Sequence, residues 1–83
     1  MEKDFRVKDL YLASYLFASK KKLVSLEKES TSYYVFVFED VPGCTALVES
    51  YWRQEAEVNL FDYLNALRNL KDRLFGLLKA GRQ

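Results

Sequence analysis

The run Tyr33-Tyr34-Val35-Phe36-Val37-Phe38 constrains this chain more than any other segment. It is built of β-forming residues, with Tyr33, Val35 and Val37 on one face of a strand and Tyr34, Phe36 and Phe38 on the other. A strand that is apolar on both faces needs cover on both. Its hairpin partner is the alternating segment from Leu23 to Lys28, which puts Val24 and Leu26 on one side and Ser25 and Glu27 on the other. The polar stretch Glu29-Ser30-Thr31-Ser32 makes the turn between them. A hairpin alone is marginal in water. One face is therefore expected to lie on helices, and the second to take a helix, a terminal segment or another chain. Phe5-Arg6-Val7 is available as a short third strand.

Helices flank this hairpin. From Asp9 to Ser19 the chain places Leu10, Ala13, Ser14 and Phe17 on one stripe and Leu12, Tyr15 and Leu16 beside it, with Asp9 suited to cap the start. A helix apolar over most of its circumference must be enclosed over most of it. Lys20-Lys21-Lys22 ends it with cations, where the helix dipole favours them. After Glu39-Asp40, Val41-Pro42-Gly43 turns the chain into a second helix, with Pro42 well placed near its first turn. Its stripe Cys44, Leu47, Val48, Tyr51 follows the i, i+3, i+4, i+7 pattern, and Trp52 extends the edge. Asn59 caps a third helix with acidic Asp62 in its first turn, and Val58 is placed to staple onto Tyr63. Along that helix Leu60, Tyr63, Leu67, Leu70, Leu74 and Leu77 recur at spacings of three and four, Leu64 and Leu78 widen the stripe, and Phe61 and Phe75 lie on its flank. Gly81 is a natural stop.

These elements predict an α+β domain of order α-β-β-α-α, with an antiparallel β-hairpin, extended by the short N-terminal strand if that forms, packed on three helices. Residues 1–83 fit one domain with short flexible ends at about 1–4 and 80–83. A chain of 83 residues has little surplus core, and one cysteine with no histidine leaves neither a disulfide nor a zinc site to brace it. Dense packing or self-association remains.

The segments Asp9-Leu10-Tyr11-Leu12-Ala13-Ser14-Tyr15-Leu16, Val35-Phe36-Val37-Phe38-Glu39-Asp40 and Ala66-Leu67-Arg68-Asn69-Leu70-Lys71-Asp72 together resemble a small bacterial and phage-associated domain family of unassigned function. The resemblance covers most of the chain and rests on apolar and turn positions. It implies a microbial or mobile-element origin and carries over no active-site residues.

Chemistry is sparsely provided for. Without histidine, the residues for soft metal sites and for the usual nucleophile–base pairs are missing. Glu39, Asp40, Glu49, Glu55 and Glu57 are the carboxylates open to acid–base work or a hard cation, but no EF-hand spacing or glycine-rich phosphate loop accompanies them. Cys44 has two readings, a helix-start thiol of lowered pKa or the first residue of a buried stripe. The chain is expected not to be an enzyme, to hold no cofactor and to take no small-molecule substrate. A net charge of +1 creates no global field toward nucleic acid or membrane. The charged start and the lack of about 20 consecutive apolar residues point to a cytoplasmic protein without a membrane span.

The function expected is therefore that of a protein-interaction or adaptor domain, as a homodimer or with another protein. Tyr11 and Tyr15 of the first helix, or Leu67, Leu70, Leu74 and Leu77 of the last, are the candidate interface. The alternative is a nucleic-acid-binding accessory protein of a phage or mobile element, using Lys20, Lys21, Lys22, Arg68, Lys71 and Arg73.

Overall fold

A computed structural model describes residues 4–30 and 33–80, the side chains of 78–80 excepted. The flexible ends, the Thr31-Ser32 part of the turn, the place of Leu78 in its stripe and the stop at Gly81 fall wholly or mainly outside the described residues. Among those described, the order is β1 (Phe5–Val7), α1 (Leu10–Ala18), β2 (Leu23–Lys28), β3 (Tyr34–Phe38), α2 (Val41–Trp52) and α3 (Leu60–Ala80). This is the expected α+β arrangement with the third strand formed.

The strands make an antiparallel sheet of order β1-β3-β2, so the doubly apolar strand takes the central position. Register sets the two faces. Phe38 is level with Phe5 and Leu23, and Phe36 with Val7 and Leu26, and this side faces the helices. Val37 is level with Arg6 and Ser25, and Val35 with Glu27, on the other side. The expected pairing of Val24 with Leu26 on one face is corrected here. A bulge between Leu23 and Ser25 shifts the alternation, so Leu23 joins Leu26 on the core side and Val24 is left exposed.

The outer face is closed by the chain itself. Arg6 and Glu27 stand on opposite flanking strands, and their ion pair of 2.8 Å bridges the central strand above Val35 and Val37, each only 1% exposed. The Ser25 hydroxyl donates to the same carboxylate at 2.9 Å. Lys8 continues the lattice, pairing with Glu29 at 3.0 Å and lying 5.1 Å from the centre of the Tyr33 ring. The aliphatic stems of these long side chains cover the valines while their heads stay in water.

On the inner face α1 is the centre of the molecule. Leu12, Ala13, Ser14, Tyr15 and Leu16 are all buried, because the helix has the sheet on one side and α3 along the other, with α2 against it. The buried Ser14 hydroxyl donates back to the Leu10 carbonyl at 2.8 Å and so costs no unpaired group. Asp9 caps the start, accepting from the backbone N–H of Tyr11 at 2.9 Å. At the far end the N–H groups of Lys20 and Lys21 close onto the carbonyls of Phe17 and Leu16, a Schellman stop in which Lys20 takes the left-handed conformation, φ 73°.

That turn aims Lys21 at Asp40, the N-cap of α2, at 2.6 Å. Asp40 also accepts from the N–H of Gly43 at 3.1 Å, and the N–H of Glu39 donates to the Lys22 carbonyl. The α1–β2 and β3–α2 turns are thereby pinned together. With its cap at Asp40, α2 starts at Val41 and carries Pro42 in its first turn, as expected. Trp52, at the other end of α2, is exposed; Tyr51 packs onto the core.

Two outcomes test the pin. A Cβ at Gly43 would run into the Asp40 carboxylate and the Lys21 ammonium. Gly43→Ala should therefore displace the Asp40 carboxylate and Lys21 from each other and lower stability by at most about 1 kcal/mol in urea unfolding, the loss of cap and ion pair being partly offset because alanine is the better helix former. Asp40 is held below its ordinary value of 3.8 by the hydrogen bond from Lys21 and then by the Gly43 N–H. A depressed carboxylate contributes stability above its unfolded pKa and loses it as pH falls through the folded value. The advantage of the wild type over Asp40→Asn should be constant from about pH 7 to 5 and shrink below about pH 4.

Candidate interaction surface

As the outermost layer, α3 packs chiefly on α1 and can bury only one side. Ala66 and Leu70 lie in the core, with Tyr63 packed against it, and Leu67, Leu74 and Leu77 are half-buried. Leu70 at 0% and Tyr15 at 4% exposure are thus core residues, and of the six expected interface positions these two are removed from any surface. Tyr11 is exposed, and its carbonyl accepts from the Tyr63 hydroxyl at 3.4 Å.

The surface that α3 does present is a second stripe. Leu60, Phe61, Leu64 and Phe75 are 64%, 72%, 40% and 55% exposed. Leu64 and Phe75, with Leu67, Arg68, Lys71 and Asp72, line a groove of about 410 Å³. The widening of the leucine stripe by Leu64 and its flanking by Phe61 and Phe75 were the signal for it. That these residues stay uncovered follows from α3 having one main neighbour. Within this face, neither Arg68 nor Asp72 has an ion-pair partner among the described residues, although they are four apart. Arginine N-terminal to the acid is the poorer order for such a pair. Gly76 is also exposed, and a Cβ there would meet nothing within 4 Å, although glycine inside a helix costs roughly 1 kcal/mol relative to alanine.

A smaller concavity of about 250 Å³ is lined by Tyr15, Tyr51, Ala56, Val58, Leu60 and Tyr63. Val58 and Tyr63, the residues of the expected staple, both line it. The Tyr15 and Tyr51 rings stand 5.9 Å apart, and the Trp52 ring meets Tyr51 edge-on at 5.3 Å. Burial raises the pKa of the Tyr63 hydroxyl. The cup suits one apolar side chain.

The basic candidates divide. Lys21 is held by Asp40, and Arg73 is held by the Asn69 side chain at 2.9 Å and lies over the Phe17 ring. Lys20 faces Asp62, Asn65 and Asn69, while Arg68 and Arg73 border the adjoining groove with Asn65, Asn69 and Asp72. Lys71 lies in the apolar groove instead, and Lys22 is exposed. The cations are therefore interleaved with Asp62 and Asp72 instead of forming an unopposed field.

Among the carboxylates, Glu49 pairs with Arg53 and Glu27 with Arg6, which with Ser25 holds Glu27 below the ordinary range. Among the described residues no three Cys, Asp or Glu side chains converge as a metal site would need. Cys44 is fully buried, its thiol donating to the Glu39 carbonyl at 3.3 Å. Burial pushes its pKa up, outweighing the lowering by Lys21. Of the two readings of Cys44, the structure supports the core residue. Its reaction with an aromatic disulfide reagent should be slow in the folded protein and become fast in urea; rapid labelling of the native chain would contradict this burial.

No helix among the described residues is long and apolar enough to cross a membrane. No functionally described protein and no solved structure matches the chain significantly. A family model does, over residues 2–76, and the extent of that match covers every element up to the exposed face of α3. The chain belongs to the family described as a domain of unknown function, DUF5659.

Proposed function

We propose that the chain is a small non-catalytic protein-interaction domain that self-associates. The observation that carries this reading is the second apolar stripe of α3, where Leu60, Phe61, Leu64 and Phe75 stay in water after the core is complete. Large apolar side chains exposed along one helix face, with Arg68, Lys71 and Asp72 set among them, suit an association surface. The absence of histidine and the burial of Cys44 give little support to an enzyme. The tyrosine-lined cup is smaller than the roughly 300–1,000 Å³ usual for a small-molecule site. A lone cysteine fits a reducing compartment such as the cytoplasm.

A second reading, nucleic-acid binding by an accessory protein of a mobile element, draws on Lys20 in one groove and Arg68 and Arg73 in the groove adjoining it, with Asn65 and Asn69 shared between them. It is the weaker of the two, because each groove also carries an acid, Asp62 in the first and Asp72 in the second.

Light scattering across a concentration series distinguishes them. The mass should rise toward two chains, and Leu64→Lys with Phe75→Lys should return it to one chain without loss of helical circular dichroism. A monomer at every concentration up to about millimolar would overturn the reading. A labelled oligonucleotide that binds the monomer at low salt and is released steeply as salt rises would favour the second instead.

A further inference from the structure

Resting on that self-association, we infer that two copies pair through α3 in antiparallel register about a two-fold axis near residue 70. The row Leu64, Arg68, Asp72, Gly76 runs along the helix at intervals of four, and neighbours at that spacing form one ridge of a helix surface. Read antiparallel against itself, this ridge is complementary at each position. Arg68 of one copy comes level with Asp72 of the other, and the two-fold repeats the pair. Leu64 comes level with Gly76 of the second copy, a large side chain opposite a missing one, beside Phe75.

Three features that nothing within the chain explains acquire a role at once. Arg68 and Asp72 have no ion-pair partner among the described residues, Gly76 has open space over its Cα, and the groove between Leu64 and Phe75 is unfilled. A second copy supplies a charge of opposite sign for each member of the pair and a leucine for the glycine. In a parallel pair centred on the same ridge, Arg68 would meet Arg68 and Asp72 would meet Asp72, which like-charge repulsion disfavours. A C2 pair is self-complementary by symmetry, and it closes after two chains.

Charge reversal tests the register by sedimentation equilibrium on the full chain. Arg68→Asp alone and Asp72→Arg alone should each weaken the homodimer, on the order of tenfold or more, since each creates two like-charge contacts. The double variant Arg68→Asp/Asp72→Arg should recover wild-type association, and an equimolar mixture of the two single variants should form the heterodimer preferentially. Gly76→Leu should weaken association while leaving the monomer at least as helical as the wild type. Single variants that dimerise as well as the wild type, or a double variant no better than the singles, would overturn the antiparallel register while leaving self-association standing. A wild type that stays monomeric throughout would overturn both.

Discussion

The enclosure of α1 is the constraint on which the rest of the structure depends. Five consecutive buried residues, Leu12 to Leu16, point their side chains in nearly every direction and need solid neighbours all round, and a chain of 83 residues has few elements to spend on the task. The sheet takes one side, α3 takes the opposite side and α2 closes a flank. Once α1 occupies the middle, the remaining layers are external by necessity. Each therefore has one face inward and must deal with the other face by its own means.

The two external layers solve that problem differently. On the sheet, Val35 and Val37 are small and central, so long polar side chains from both edges can arch over them, and the Arg6–Glu27 ion pair completes the cover. A surface pair of this kind adds little energy by itself. Its value lies in holding two aliphatic stems over the valines. On α3, by contrast, the outward side chains are themselves large and apolar, and no neighbouring strand or loop stands close enough to shade them. The asymmetry between the layers is the physical reason that the functional reading falls on the helix and not on the sheet.

Much of the architecture was legible from local pattern. The doubly apolar strand announced its need for cover on both faces, the Asn59 and Asp9 caps marked two helix starts, and Phe5-Arg6-Val7 was recognisable as strand material. What was not legible depended on contacts between distant segments. The alternation of Leu23 to Lys28 gave the wrong partner for Leu26, because a bulge resets the phase and a bulge has no signature in period-two reading. Val41-Pro42-Gly43 was legible as a helix start, but the ion pair that ties its Asp40 cap to Lys21, nineteen positions earlier, was not. On α3 the periodicity identified apolar positions but not which of them α1 would reach. Leu70 and Leu64 are equivalent in composition, yet one is sealed in the core and the other stands in water.

The bulge at Val24 has a consequence for how copies of this chain can meet. An edge strand with a regular ladder is a template on which further strands can add without limit, and sheet proteins avoid that fate by spoiling their edges. Here β1 offers three residues, and β2 is irregular between Leu23 and Ser25, close to its start. Neither edge provides the long, even row of free amides that open-ended stacking requires. The edges therefore oppose fibre growth, and the self-association proposed for this chain would be left to helix faces, where a symmetrical pair exhausts its own surface.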